Sequence, residues 1–203
     1  GAGGRAGRPA GAGLPVARAE PPPPPPLPRL RAQSPLLQMA EPELICMVEI
    51  PMGSRNKYEY DHAHGAIKFD RFVSASVVYP TDYGFIPETL AADGDELDAL
   101  VCVSEPTFPG CLIAVRPVGV LRMRDEKGTD DKLVCVPLQD PRWNVYHDLD
   151  DLPVALREEV LHFFAVYKDL DDERHSEPTG WDDREAAMRE LAQARERFRT
   201  RGG

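Results

Sequence analysis

The sequence predicts a mainly β protein of the α+β class, built as a small closed β-barrel with two C-terminal helices. Short apolar, β-branched runs recur between residues 43 and 136, and no helical pattern separates them. Two runs with helical spacing follow, near residues 152–168 and 182–199. This order favours an antiparallel barrel or sandwich over a sheet of alternating strands and helices.

The strands are identified by β-branched and aromatic residues in short runs that end at Pro or Gly. Pro51 closes the first strand, and residues 62–65 are expected to turn between the two arms of a hairpin. Pro106, Pro109 and Gly110 separate the two longest apolar runs. The predicted strands are residues 43–50, 57–60, 66–69, 76–79, 97–103, 111–124 and 133–136.

Both helices are predicted from apolar residues that recur at helical spacing. In the first, residues 152–168, Pro153 suits an early helical position because its missing N–H needs no partner there. In the second, residues 182–199, Asp182 and Glu185 have the spacing of a capping box. The apolar face of the first helix is Leu156, Val160, Phe163, Phe164 and Tyr167. The apolar face of the second is Met188, Leu191 and Phe198.

Residues 1–42 differ in composition from the rest of the chain. They hold 11 of the 21 prolines, including the run of residues 21–26, together with six glycines and five arginines. Such a segment buries too little apolar surface to offset its ordering entropy, so it is predicted to be a disordered tail with polyproline II character. Docking of its Pro-rich part in an SH3-like groove and a targeting role are alternatives.

The charge balance limits the functions of the part of the chain that is predicted to fold. The whole chain has a net charge of −10. Residues 1–40 carry five Arg and one Glu, so the remaining 163 residues hold 19 basic and 33 acidic side chains, a net charge of −14. This charge disfavours nucleic acid and membrane surfaces as partners and directs attention to cation sites. The chain has no run of 18 apolar residues, and four cysteines without a C-x-x-C pair indicate a reducing, cytoplasmic location.

The segment Asp93-Gly94-Asp95-Glu96-Leu97-Asp98 is the sharpest chemical feature of the sequence. Four carboxylates within six residues repel one another unless cations or protons intervene. Divalent ions such as Mg²⁺ prefer oxygen ligands of this kind. A solvated acidic loop is the alternative, and the position of the glycine does not suit an EF-hand.

Other polar groups have a simple structural explanation when each is taken alone. Residues 124–132 hold acids and bases between two predicted strands, as in a charged hairpin turn. Lys57 and Glu59 lie two apart and share a strand face, as in a surface ion pair. Lys168 ends an apolar helix, where the helix dipole favours a cation. The aromatic and glycine run of residues 79–85 is consistent with core and turn.

Taken in order, these segments resemble the soluble, single-domain, magnesium-dependent inorganic pyrophosphatases of the actinobacterial type. The resemblance covers residues 49–199 and implies a five-stranded OB-like barrel with helices packed on it. The blocks that carry it are Glu49-Ile50-Pro51, Lys57-Tyr58-Glu59, Asp70-Arg71, Tyr79-Pro80-x-x-Tyr83-Gly84, Asp93-Gly94-Asp95-x-x-Asp98, Arg116-Pro117-Val118-Gly119, Asp125-Glu126-x-Gly128-x-Asp130-x-Lys132 and His162-Phe163-Phe164-x-x-Tyr167-Lys168-Asp169-Leu170.

The resemblance implies a role for each matching position. Asp95 is similar to the carboxylate that accepts a proton from the attacking water, with Asp130 as the alternative, and Glu59 is similar to a supporting acid. The implied metal ligands are Glu49, Asp93, Asp98, Asp125 and Asp130. The implied pyrophosphate-binding residues are Lys57, Arg71, Tyr83, Lys132, Tyr167 and Lys168.

The resemblance also implies the chemistry and the assembly. The expected reaction is hydrolysis of pyrophosphate to two phosphates by in-line attack of a metal-activated water, with several Mg²⁺ ions that Mn²⁺ or Zn²⁺ could replace. A homo-oligomer, typically a hexamer, is expected. Glu96 stands where proline is common in the family, and Lys127 where a neutral residue or His occurs. His62 and His64 match members with a His near the site, although a solvated hairpin turn explains them too.

Two other kinds of protein remain open from the residues themselves. Another metal-dependent phosphohydrolase, such as a haloacid-dehalogenase type with an Asp nucleophile, requires an apolar strand before its first Asp, and residues 89–92 match this poorly. An OB-type module for single-stranded nucleic acid requires a basic groove with exposed aromatic side chains. The net charge of −14 opposes the second alternative.

Overall fold

Nine strands and two helices make up the part of the chain that the computed structural model describes, which is Gly1, Gly3 and residues 44–171 and 174–201. The predicted tail, apart from those two glycines, and residue 43 of the first predicted strand lie outside the described residues. The strands are β1 (Leu44–Ile50), β2 (Asn56–Asp61), β3 (Ala66–Phe72), β4 (Asp82–Ile86), β5 (Leu97–Val101), β6 (Leu112–Asp125), β7 (Gly128–Thr129), β8 (Lys132–Pro137) and β9 (Ser176–Asp182). The helices are α1 (Val154–Val166) and α2 (Arg184–Arg201), with a 3-10 turn at Leu149–Asp151 before α1.

Five strands pair in a closed ring, which confirms the predicted small closed barrel. Around the ring, β1 pairs with β4, β4 with β5, β5 with β8, β8 with β6, and β6 with β1 again. The pairing is antiparallel except between β5 and β8, which run parallel with Ala99 opposite Leu133. The expectation of an antiparallel barrel is therefore wrong at one seam. In the chain, β6 follows β5 and runs antiparallel to β8, so it returns the chain to the end of the barrel at which β5 begins.

The remaining strands extend the barrel at its rim. β2 and β3 form the predicted hairpin as a separate two-stranded sheet, and β7 forms a short hairpin with the end of β6. β9 pairs along the outer edge of β6, with Leu121 opposite Trp181. None of the helices within residues 44–171 and 174–201 is both long enough and apolar enough to cross a membrane.

Each helix packs on its own apolar cluster, and strand β5 contributes alternate residues to the two clusters. Val160, Phe163 and Phe164 of α1 are buried with barrel residues such as Leu100. The four buried residues of α2 lie in the other cluster with barrel residues of β1, β5, β6 and β8, and they are Ala186, Ala187, Leu191 and Ala194. Leu191 and Met188 of the predicted face pack there, and three small alanines extend the contact and let α2 lie close to the barrel. Phe198, predicted on that face, is 44% exposed near the end of the helix.

Three strands, β4, β7 and β9, were not predicted, and one predicted strand is absent from the described residues. β7 is only two residues long and lies in the segment interpreted as a charged hairpin turn. Residues 76–79 have no strand pairing, whereas β4 forms from part of the aromatic and glycine run that suggested core and turn. All five residues of β4 are buried, so its sequence lacks the alternation that marks a half-exposed strand. β9 contains Pro178 and Gly180, which are depleted in strands, and it forms at the edge of β6.

The start of α2 also differs from the prediction by one residue. Asp183, rather than Asp182, accepts the hydrogen bond of a first-turn N–H, from Ala186 at 2.9 Å. The carboxylate of Asp182 instead accepts from Arg122 Nε at 2.8 Å, across the β6–β9 edge. The competing partner on β6 explains why the local capping pattern placed the cap one position early.

Gly84→Ala is expected to destabilise the barrel strongly. A Cβ at this buried position of β4 would lie 1.9 Å from the backbone oxygen of Met47 on β1, so the strand pair would have to separate. We expect a loss of about 3 kcal/mol in the free energy of unfolding, measured by chemical denaturation. Gly119→Ala is the comparison and should cost less, because a Cβ there would lie 2.8 Å from the movable end of the Leu149 side chain and no nearer than 3.0 Å to a backbone atom, the oxygen of Asp182. Equal losses in both variants would contradict the explanation.

Candidate functional site

All thirteen side chains predicted for the site line one cavity at the mouth of the barrel. The cavity has a volume of about 520 Å³ and is bounded by β1–β5, the β6–β7 turn, the start of β8 and the end of α1. The predicted residues in its lining are Glu49, Lys57, Glu59, Arg71, Tyr83, Asp93, Asp95, Asp98, Asp125, Asp130, Lys132, Tyr167 and Lys168. His62, Glu96 and Lys127, which the sequence placed near the site, line it too.

Five further lining residues were not assigned a place in the site from the sequence. They are Tyr60, Asp70, Phe85, Glu126 and Arg174. Asp70 and Glu126 stand inside the blocks that carry the family resemblance, so their position in the sequence was a usable signal. Arg174 follows the first helix in a segment without a pattern, and only the return of the chain toward β9 brings it to the cavity.

A buried ammonium group joins two of the predicted carboxylates at the base of the cavity. Lys132, 2% exposed, places Nζ 2.6 Å from Asp98 Oδ2 and 2.7 Å from Asp130 Oδ1. Tyr83 donates its hydroxyl hydrogen to Asp98 Oδ2 at 2.5 Å. Burial alone would lower the pKa of Lys132, but the charges of Asp98 and Asp130 outweigh it and raise that pKa above its ordinary value. The lysine therefore stays protonated inside the barrel mouth.

A second lysine pairs with the acids of the β6–β7 turn. Lys168 follows α1 and is nearly buried, and its Nζ lies 3.2 Å from Asp125 Oδ2 and 3.0 Å from Glu126 Oε2. The neighbouring Tyr167 ring is 5.7 Å from the same ammonium. The helix-dipole explanation for Lys168 is incomplete, because its side chain reaches across to another element and lines the cavity.

The β2–β3 hairpin brings two more cations to the opposite wall. Lys57 forms an ion pair with Glu59 on the same strand. Asp70 accepts from Arg71 Nη1 at 2.6 Å and lies 3.4 Å from Lys57 Nζ, so one carboxylate contacts both cations. Asp171, in the segment that follows α1, lies 3.4 Å from Arg71 Nε. The expected ion pair between Lys57 and Glu59 does form. Both cations of the hairpin, Lys57 and Arg71, also line the cavity.

Two carboxylates of the lining are left without a cation. Among the described residues, neither Glu49 nor Asp93 forms an ion pair. Burial raises the pKa of Glu49 to about 7, although the backbone N–H of Tyr60 donates to its Oε1 at 2.7 Å. Burial also raises the pKa of Asp93, and the negative charges of Asp95 and Asp98 add to that effect. A bound cation would offset the burial of both carboxylates and lower their pKa values.

The donor set of the cavity fits a divalent cation. Ten carboxylates face six Lys or Arg side chains, so the lining has four more acids than bases. Carboxylate oxygens are the ligands that hard divalent ions prefer. Within residues 44–171 and 174–201, no three His, Cys, Asp or Glu side chains are yet grouped closely enough to hold an ion. The ammonium of Lys132 lies between the carboxylates of Asp98 and Asp130, so these two side chains do not contact each other directly.

The fold and the cavity together define a class: a closed-barrel protein with one cavity whose acids are suited to cations and whose bases are suited to anions. The chain belongs to the inorganic pyrophosphatase family, whose model matches residues 46–199. This membership confirms the resemblance noted from the motifs, and the family implies a divalent metal cofactor.

The relatives cover nearly all of the described part of the chain. An inorganic pyrophosphatase of Methanosarcina acetivorans is 51% identical over 164 residues, which cover 80% of this chain and 97% of that protein. One from Streptomyces coelicolor is 51% identical over 156 residues, covering 77% and 96%. The crystal structure of inorganic pyrophosphatase from Thermus thermophilus superposes with a TM-score of 0.76 and 45% identity, covering 79% of this chain and 94% of that one.

Glu49→Gln is expected to stabilise the protein at pH 8 when a chelator removes divalent cations. The folded-state pKa of Glu49 is about 7 against an ordinary value of 4.5, so ionised Glu49 costs stability. This cost is absent below about pH 4.5, grows as the pH rises to about 7 and is complete above it. The expected gain at pH 8 is at most about 3 kcal/mol.

Chemical denaturation at pH 4 and pH 8 measures this difference. Glu158→Gln, at an exposed position of α1, is the matched control and should change stability little at either pH. A gain for Glu49→Gln that is as large at pH 4 as at pH 8 would argue against a buried, ionised Glu49.

Proposed function

We propose that the protein hydrolyses inorganic pyrophosphate to two phosphates, with Mg²⁺ as its cofactor and Mn²⁺ or Zn²⁺ as substitutes. The observation that carries the proposal is the cavity itself, in which acids and bases from distant parts of the chain line one space. Membership of the inorganic pyrophosphatase family supports the same reaction. The four excess acids of the lining disfavour a groove for nucleic acid.

The acids of the cavity have the residue types needed to hold the divalent cations. When bound, such ions lower the pKa of water and neutralise charge on the phosphoryl oxygens. Glu49 and Asp93 lack a cation partner among the described residues, and ion binding would remove the repulsion around them. The residues proposed as metal ligands are Glu49, Asp93, Asp98, Asp125 and Asp130.

The bases and tyrosines of the cavity are proposed to bind the pyrophosphate anion. Lys and Arg neutralise phosphoryl oxygens, and the planar guanidinium of Arg71 can donate two parallel hydrogen bonds. The hairpin side of the cavity presents Lys57 and Arg71, whereas the barrel and α1 present Lys132 and Lys168. Two walls of positive charge are suited to an anion with two phosphoryl groups. Tyr83 and Tyr167 complete the proposed set.

Asp95 is proposed to accept the proton of the attacking water, with Glu59 as a supporting acid. The Asp95 side chain is 69% exposed in the cavity mouth and is therefore accessible to water. Asp130 is the alternative acceptor, since it is also among the proposed metal ligands. No covalent intermediate is required, because phosphoryl transfer to water depends mainly on positioning and charge stabilisation.

Three predictions concern properties outside the cavity. The homohexamer and the cytoplasmic location stay predictions that rest on the family resemblance and on the cysteine content. The disorder that the sequence predicts for residues 1–42 likewise stays a prediction. Sedimentation of the full chain would measure the number of copies in the assembly.

Phosphate release from pyrophosphate tests the reaction directly. With Mg²⁺ the full chain should release two phosphates per pyrophosphate, and excess EDTA should abolish the release. Asp95→Asn should lower kcat by about 100-fold, the range for loss of a general base. Equal release in all three conditions would refute the mechanism, and a trapped aspartyl-phosphate would favour the haloacid-dehalogenase alternative.

Lys168→Ala is expected to weaken the use of pyrophosphate while the fold persists. The variant removes an ammonium that faces the cavity, so kcat/KM should fall by about 10- to 100-fold, mostly through KM. Lys68→Ala on β3 is the control, because this lysine is exposed and is not among the described residues that line the cavity. Loss of native circular dichroism in Lys168→Ala would instead mean that Lys168 is structural.

A further inference from the structure

Lys127 connects the two acidic segments of the cavity at its mouth. The residue lies in the turn between β6 and β7, and its backbone N–H donates to Asp125 Oδ1 at 2.8 Å. Its side chain crosses the mouth to the acidic loop, where Nζ lies 3.2 Å from Asp95 Oδ2. One residue therefore bridges the loop of residues 93–98 and the β6–β7 turn.

The ammonium of Lys127 lies in the field of carboxylates from both segments. Its hydrogen bond to Asp95 and the charge of Asp95 are the main reasons why its pKa is raised, and Asp93 and Asp125 raise it further. Unlike Lys132 and Lys168, whose side chains are 2% and 7% exposed, Lys127 is 60% exposed. A lysine at the rim can leave its carboxylate at little cost, because water solvates it there.

We propose that Lys127 is a tethered cation that competes with divalent cations for the acidic loop and attracts the phosphate anion into the same cavity. The inference rests on the proposed function, since it takes Asp93, Asp98 and Asp125 as metal ligands. The ammonium repels a divalent ion bound near it and attracts a polyanion. Lys127 thus lowers cation affinity before substrate arrives and raises the affinity for phosphate.

The opposite signs of these two effects separate a charge effect from a structural one. If Lys127 only held the loop in shape, its removal would weaken the binding of cation and anion alike. If it acts through its charge, removal strengthens cation binding and weakens anion binding. Because the site around Lys127 is largely exposed, each change should be about threefold to tenfold and should shrink in high salt.

The experiment is calorimetric titration of the full chain, first freed of metal, with Mn²⁺ alone and then with inorganic phosphate at saturating Mn²⁺. Lys127→Met should bind Mn²⁺ about threefold to tenfold more tightly and phosphate more weakly by a similar factor. Lys127→Arg, which keeps the charge, should match the unaltered protein. Lys68→Met is the matched control, because Lys68 is the one lysine of five outside the cavity lining of the described residues.

The outcomes distinguish this inference from the proposed function. If the unaltered protein binds no divalent cation, the proposed function fails and the inference fails with it. If the unaltered protein binds Mn²⁺ but Lys127→Met binds it equally or more weakly, only the inference fails. The same holds if the change in Lys127→Met persists undiminished in 0.5 M KCl. At this salt concentration the Debye length is about 4 Å, so interactions between exposed charges farther apart are largely screened.

Discussion

The site depends on one constraint: the ammonium of Lys132 is buried in the barrel mouth and must be compensated there. A buried, unpaired charge is strongly destabilising, whereas a paired one is tolerated when its hydrogen bonds are satisfied. Asp98 and Asp130 provide the pairing, and Tyr83 donates to the first of them. Asp98 and Lys132 stand next to the paired residues Ala99 and Leu133, so the parallel β5–β8 seam sets this contact.

The same constraint explains how an acidic protein can receive an anion. Lysines neutralise several of the cavity carboxylates: Lys132 at the base, Lys168 at the side and Lys127 at the rim. If divalent cations bind these carboxylates as proposed, the ammonium groups become available for phosphoryl oxygens. Coupling of this kind is reciprocal, so cations would favour the anion as much as the anion favours the cations.

Most of the barrel could be predicted from the sequence because its strands have local signatures. β6 and β8 are β-branched runs bounded by Pro, Gly or charged residues, and they formed close to the predicted bounds. β4 and β9 were missed for opposite reasons. β4 is buried on both faces and shows no alternation, whereas β9 has poor strand propensity and is held by its partner β6.

The sequence by itself determined the family and the residue types of the site, because the motifs are collinear and each is read within a few residues. Only the tertiary structure decided which charges are paired: that Asp98 and Asp130 share Lys132, and that Lys127 reaches Asp95 across the mouth. These contacts join residues that the chain separates by 34, 2 and 32 positions. The physical reason is that Coulomb energy depends on distance and burial in space, which local pattern does not encode.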